Sequence, residues 1–479
     1  MNQGSRWRNI RAALLLLVGS LPFWASEVQA VPAFARQTGM VCNSCHIGTD
    51  PVPEFTRTGR LWSMRGYVRP YIRERLRSEG QTVESNPQYG GDYLALNMMD
   101  FFSARFISQV ATGGKSAAGT KNDVTSALES NMSMFYTGPI TDWLGLWTEI
   151  GYIGSNAINS VTPGNSGPTG LSFFAYDEYR LSASYTLGEN SFIAASVGDE
   201  NPDVIAQFNF PVTAPDLWYN GQGGNGRFVQ MANISVHTLV NGRWWLQLAA
   251  TSGDNNVSWS NGWNQYAHVA YDLFNKTEND MWVGVQYYGG TDSVPLMTGT
   301  HASFFCPATC PAGTTDSSLS INNQLGFTPG VVTGAPVKTV KDFHSFKLRA
   351  DGAVADWGEH SVYYMFNLHN SKQSYTDGTS AERTIFGFTA RYFYKRTYGF
   401  QIDPHYNVKY EFNDVTGTRK IYNGSKLDLS TIYLLWNPAM NFSTHFTFNP
   451  KVRNFVFEDQ KALYSDKARS WTVGFEYNF

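Results

Sequence analysis

Trp471-Thr472-Val473-Gly474-Phe475-Glu476-Tyr477-Asn478-Phe479 ends a chain of 479 residues. Large apolar side chains occupy every second position, and Thr, Gly, Glu and Asn fill the gaps. In a strand, successive side chains point to opposite faces, so this segment has one apolar face and one polar face. The same period dominates the chain from residue 91 onward. Tyr179, Leu181, Ala183, Tyr185 and Leu187 alternate with Arg180, Ser182, Ser184 and Thr186. Trp244, Leu246, Leu248 and Ala250 alternate with Trp245, Gln247 and Ala249. Phe346, Leu348 and Ala350 alternate with Lys347, Arg349 and Asp351, and Phe386, Phe388, Ala390, Tyr392 and Tyr394 alternate with Gly387, Thr389, Arg391 and Lys395. Two folds use such strands. A soluble β-sandwich turns the apolar faces inward. A transmembrane barrel turns them outward to lipid and gives the polar faces to its lumen.

Composition favours the barrel. Aromatic residues make up 15% of the chain, with 32 Phe and 26 Tyr, and charged residues only 16%. Soluble domains carry about 25% charged residues. The mean hydropathy of −0.30 suits a barrel, because half of each strand faces a polar lumen. The apolar faces end in aromatic residues, as interfacial girdles do, and the terminal strand looks like the closing strand of bacterial outer-membrane barrels. Gly138-Pro139 and Asn437-Pro438-Ala439 are tight-turn chemistry. The segments 200–227 and 289–341 are long and rich in Gly, Ser, Thr and Asn. Short turns at one end and long loops at the other are expected of such a barrel, and the chain length predicts roughly sixteen strands. Within the longest loop, Cys306 and Cys310 are a disulfide candidate that would stiffen it. The alternative is a second metal or redox site, although no His or acidic residue adjoins them.

The first thirty residues have a different character. Arg6, Arg8 and Arg11 precede an apolar run from Ala12 to Phe23, and Val28-Gln29-Ala30 is a small-residue cleavage site. This predicts a secretory signal peptide over 1–30, and the run is too short for a membrane anchor. The segment holds three Arg and one Glu, so its removal takes the net charge from −3 to −5. A mildly acidic chain gives no reason to expect a nucleic-acid partner. No later stretch is apolar and long enough for a transmembrane helix.

Next comes Cys42-Asn43-Ser44-Cys45-His46. Two thiols three positions apart, followed at once by His, form the attachment signature of c-type haem. Each thiol adds to one vinyl group, and the adjoining imidazole becomes the proximal ligand of the iron. Zinc would need two more ligands nearby, and a redox CxxC would lie in a βαβ pattern. Neither is present in the sequence. Cys42 and Cys45 are therefore expected to hold one haem c covalently, with His46 as axial ligand. For the distal side, Met64 is the nearest suitable thioether, although a Met beside Leu61 and Trp62 also suits simple packing. Met98, Met99, a barrel His or an open position are the other options, and Met40 is too close. Residues 54–80 carry seven Arg and three Glu. One reading is a solvated helical face over 69–79. The other is a basic surface that lodges against inward acids such as Asp351 or neutralises haem propionates.

The stretch from Val31 to His46, followed by Pro53-Glu54-Phe55, Gly59-Arg60 and Gly66-Tyr67, resembles the fused monohaem cytochrome–porins of iron-oxidising bacteria. Those proteins often have Phe-Gly-Arg-x-Phe-Lys where this chain has Thr58-Gly59-Arg60-Leu61-Trp62-Ser63. The resemblance implies a small, mainly helical cytochrome domain over 31–90, acting as a plug in a barrel over 91–479. It further implies an iron oxidase of the outer membrane, which takes electrons from extracellular Fe(II) and passes them through its haem to a periplasmic cytochrome c or blue-copper protein. The alternatives are a conduit for another donor or the opposite direction, and a haem-plugged diffusion porin.

Overall fold

The structure is a computed structural model, and it describes residues 42–47, 55–68, 102–112, 129–153, 173–188, 190–198, 233–251, 263–276, 278–290, 340–375, 378, 380–414, 417–422, 427–439, 442–449, 456–457 and 470–478. Two short helices come first, α1 (Cys42–Cys45) and α2 (Arg57–Met64). Strands follow: β1 (Phe102–Thr112), β2 (Glu129–Pro139), β3 (Leu144–Ile153), β4 (Phe173–Gly188), β5 (Ser191–Gly198), β6 (Asn233–Val240), β7 (Trp244–Thr251), β8 (Asn264–Asp272) and β9 (Asp280–Gly290). The second half supplies β10 (Val340–Trp357), β11 (His360–Tyr375), β12 (Ser380–Tyr394), β13 (Tyr398–Asp414), β14 (Gly417–Tyr422), β15 (Leu427–Ala439), β16 (Phe442–Asn449), β17 (Val456–Phe457) and β18 (Ser470–Asn478).

All 18 strands belong to one sheet. β14 pairs with the last residues of β13, Glu411 to Asp414, and with β17, outside the main ring. The remaining 16 strands each pair antiparallel with the next, β13 passing directly to β15 and β16 to β18. The ring closes where β1 meets β18, from Arg105 opposite Asn478 to Thr112 opposite Trp471. A closed antiparallel ring leaves no strand edge, so the ladder groups are satisfied without water, as a hydrocarbon environment demands.

The faces decide between the two folds that the alternation allowed. On β7, Trp244 and Leu248 are 50% and 68% exposed, while Trp245 and Gln247 are 0% and 2%. On β10, Phe346 and Leu348 are exposed, while Lys347, Arg349 and Asp351 are buried. The apolar face is the outer one and the polar face is enclosed, which is the reverse of a soluble sandwich. An even number of antiparallel strands with this inversion is an outer-membrane-type barrel. No helix among the described residues is long and apolar enough to cross a membrane.

Seven hairpins turn at one end of the barrel through short connections: β2 to β3, β4 to β5, β6 to β7, β8 to β9, β10 to β11, β12 to β13 and β15 to β16. At the other end β11 to β12 and β13 to β14 are also closely joined, but β5 to β6 and β9 to β10 are joined by much longer stretches. β1 starts at this end, where Phe102 faces Tyr136, and β18 finishes there, where Tyr477 faces Phe442. Short turns mark the periplasmic end of such barrels.

Candidate functional site

Cys42 opens α1 and Cys45 closes it, so the haem motif forms a single helical turn that ends on His46. The chain then turns back. His46 bridges Phe55 antiparallel, and their rings lie 5.2 Å apart. Thr56 ties the two helices together. Its N–H donates to the Cys45 carbonyl at 2.9 Å, and its hydroxyl donates to the Ser44 carbonyl at 2.6 Å. The same hydroxyl oxygen accepts from Gly59 N–H at 3.4 Å, as an N-cap for α2. Gly59 is required by this approach, because a Cβ there would stand 2.3 Å from the Cys45 carbonyl oxygen. After α2 the chain reverses through Gly66 at φ 70°, the left-handed region that suits glycine.

Every residue of α2 is buried, and the reason is that α2 lies inside the mouth of the barrel. Arg57 Nε donates to Asp272 Oδ2 at 2.8 Å, and its Nη2 donates to the Gly242 carbonyl at 2.8 Å and to Asn275 Oδ1 at 2.5 Å. Arg60 Nε donates to Asp280 Oδ2 at 2.6 Å, and its Nη1 donates to Asp351 Oδ2 at 2.9 Å. The wall acids are themselves held in place. Asp280 also accepts from Trp282 Nε1 and from the Ala353 N–H, both at 2.9 Å. Asp272 Oδ1 accepts from the N–H groups of Phe274, Asn275 and Met281 at 3.1 Å each. Burial disfavours the charged Arg60 guanidinium, but the carboxylates of Asp280 and Asp351 outweigh this and raise its pKa.

Strands β4 to β6 supply further contacts. Arg180 Nη2 donates to the Ser63 carbonyl at 3.0 Å, and its guanidinium lies 5.3 Å over the Tyr67 ring. His237 Nε2 donates to the Met64 carbonyl at 2.8 Å. Arg65 lies 5.1 Å over Phe192. Leu61 and Met64 pack with Phe192, Ala194, Leu239, Trp245, Ala270 and Trp282 of β5 to β9. Ile47 belongs to a second cluster, with Ala353, Ala355, Tyr363, Met365, Phe393 and Leu435 of β10 to β15. Ser361 Oγ donates to the Ile47 carbonyl at 3.1 Å. Segments 42–47 and 55–68 thus touch wall strands around the ring and form a plug in its short-turn mouth.

The residues at the motif suit an axial ligand. His46 is half-buried, its Nδ1 is buried without a hydrogen-bond partner, and burial lowers its pKa to about 4. The imidazole is therefore neutral at neutral pH, with a lone pair for iron. Met64, the distal candidate, is fully buried in the apolar cluster on β5 to β9, whereas Ile47, next to His46, belongs to the other cluster. Of the basic segment, Arg57 and Arg60 are lodged against the wall, and Asp351 receives one of them. The docking acids Asp272 and Asp280 were not anticipated from sequence. Their signal is an Asp at each strand end flanking a short turn. Among the described residues, no group of three or more His, Cys, Asp or Glu is arranged to hold a metal ion. The signal segment 1–30, Met40, Met98, Met99, the predicted helix 69–79, the pair Cys306 and Cys310, and Phe479 lie outside the described residues.

No protein-family model matches the chain, and no curated protein matches its sequence. Similar solved structures include a loop L8 deletion mutant of OmpT, an outer membrane protein of Vibrio cholerae, at 10% identity, covering 79% of this chain and 98% of that one with a TM-score of 0.45. OmpF of Salmonella typhi is 8% identical, over 79% and 97% of the two chains, with a TM-score of 0.42. An anion-selective porin from Comamonas acidovorans is 10% identical, over 79% and 98%, with a TM-score of 0.40.

Proposed function

We propose that this chain is a plugged outer-membrane conduit for single electrons, exported through a signal peptide cleaved after Ala30. In this reading Cys42 and Cys45 form thioethers to one haem c, and His46 is its proximal ligand. The observation that supports it is the docking of the motif-bearing segment inside the barrel mouth. A hydrocarbon core is about 30 Å thick, and a redox group confined to the periplasm would lie too far from an external donor. When bound, the haem supplies a one-electron Fe(III)/Fe(II) couple to the site. The chain's own residues do the rest. Thr56 and Gly59 hold the motif against α2, and Arg57 and Arg60 hold α2 against the wall. The barrel keeps lipid away.

The electron donor in this reading is extracellular Fe(II), which becomes Fe(III), and the acceptor is an oxidised periplasmic cytochrome c or blue-copper protein. The activity is that of an Fe(II):electron-carrier oxidoreductase. The barrel architecture is common to this reading and to its rival, passive diffusion. A ring of sixteen strands with a polar lumen is all that a diffusion porin requires, so the wall by itself speaks for the rival. Vesicles with the protein in one orientation distinguish them. With Fe(II) outside and an impermeant oxidised acceptor inside, internal reduction is expected, and it should vanish when Cys42 and Cys45 are both replaced by Ala. Equal internal reduction by the double variant, together with solute flux, establishes the porin instead.

A further inference from the structure

A histidine that ligates a metal through one ring nitrogen almost always donates the N–H of the other to a carboxylate, a carbonyl or water. That bond fixes the ring and makes the ligand more basic. His46 departs from this pattern. Its Nδ1 is buried and has no hydrogen-bond partner. With Nδ1 enclosed, Nε2 is the nitrogen left for an iron.

Phe55 lies beside this imidazole. The two backbones bridge antiparallel, and the ring centroids are 5.2 Å apart with the planes at 35°. An aromatic ring is at most a weak acceptor for an N–H group. Phe55 is only 8% exposed, and its place is fixed from several sides. Beside it in the chain, the Thr56 N–H is tied to the Cys45 carbonyl at 2.9 Å. Phe55 Cδ1 stands 2.8 Å from where a Cβ on Gly59 would be, so the ring rests on the bare backbone of the first turn of α2. Ile47, the residue after His46, is fully buried in the cluster on β10 to β15. The imidazole is therefore held by packing and by its backbone bridge, with no acceptor on its buried nitrogen.

We propose that Phe55 is the positioning residue of the axial ligand, and that by covering His46 Nδ1 with an apolar ring it raises the reduction potential of the haem iron. The inference rests on the haem reading above. An imidazole whose N–H has no acceptor is a less basic ligand, and a less basic ligand stabilises Fe(III) less relative to Fe(II). A raised potential favours electron flow from Fe(II) to the haem, the direction proposed above. Two readouts on the full-length holoprotein in detergent test this. Pulsed electron paramagnetic resonance of the ferric state gives the quadrupole coupling of the remote imidazole nitrogen, which falls when its N–H is hydrogen-bonded. In the wild type this coupling should exceed that of an imidazole–haem complex in water. Phe55→Ala opens Nδ1 to water as an acceptor. The coupling should then fall, and the midpoint potential should fall with it, by roughly tenfold in the one-electron equilibrium, or about 59 mV. Phe55→Leu keeps an apolar cover and should recover most of both. A wild-type coupling equal to that of the aqueous complex would overturn the proposal, and so would a wild-type potential in Phe55→Ala. If Phe55→Ala fails to assemble, the wild-type coupling decides alone. A wild-type protein with no covalent haem on a denaturing gel would instead overturn the haem reading itself.

Discussion

Trp244 and Trp245 are neighbours on β7 and live in opposite surroundings. Trp244 is half exposed on the outer face and touches Tyr271 of β8, with ring centroids 4.7 Å apart. Trp245 is fully buried on the inner face, 4.9 Å from the His237 ring and in the cluster that receives Leu61 and Met64. The outer face has to satisfy only lipid, which asks for apolarity and not for shape. The inner face has to satisfy a particular plug, through named partners. Tolerance to substitution should therefore differ sharply between residues that are adjacent in sequence.

The largest effect is expected at the plug. Arg60→Met takes from Asp280 its cation and leaves Asp351 with Arg349 alone, which costs about 3–5 kcal/mol. The plug should leave the mouth, raising single-channel conductance in planar bilayers and exposing segment 55–68 to protease. Adding Asp280→Asn and Asp351→Asn to Arg60→Met should restore much of the docking. An unchanged conductance in Arg60→Met would show that apolar packing alone holds α2. Next in size is the outer face. Leu248→Arg places a charge among lipid tails and should cost about 2–4 kcal/mol if the site lies near the bilayer midplane, measured by urea unfolding in vesicles. A loss near zero would mean that this part of β7 stands outside the hydrocarbon.

A smaller effect is expected at the joint between the helices. Thr56→Val removes the cap of α2 and the hydroxyl bond to Ser44, at a cost of about 1 kcal/mol. Protease should cut within 42–68 faster, while the barrel melts as before. The smallest belongs to Trp244→Leu, which keeps an apolar group facing lipid and should change stability by about 0.5 kcal/mol or less. Trp245→Leu beside it is expected to cost more, because a cavity opens against the plug. Equal effects at the two positions would erase the contrast between the faces.

Much of the wall was legible in the sequence, because a period of two is a property of each strand alone. The strand bearing Lys347, Arg349 and Asp351 was readable as one polar face before its neighbours were known. Which way that face pointed was less accessible, since a sandwich and a barrel share the alternation. Exposure of Phe346 and Leu348 in the closed ring settles it. The motif Cys42 to His46 is read from spacing along the chain, and its haem chemistry belongs to the proposal above. Asp351 was picked out as an inward acid able to meet the basic segment, and Arg60 does meet it. Asp272 and Asp280 were missed for a physical reason. They are ordinary turn-flanking residues until α2, some two hundred positions earlier, is placed against them. The role of Gly59 is equally non-local, since only the Cys45 carbonyl opposite it excludes a side chain.

The seam between β1 and β18 carries a consequence for biogenesis. One edge of β1 pairs with β2 and the other, from Arg105 to Thr112, with Trp471 to Asn478, so the wall stays an open sheet until the last strand has crossed the inner membrane. Segments 42–47 and 55–68 cross before any strand. The plug is therefore present from the start, waiting in the same compartment where the wall is assembled. Its docking acids arrive on β8, β9 and β10, in the middle of the order of translocation. The mouth can thus be furnished while the cylinder is still a curved ribbon, and β18 shuts a vessel whose contents are already inside.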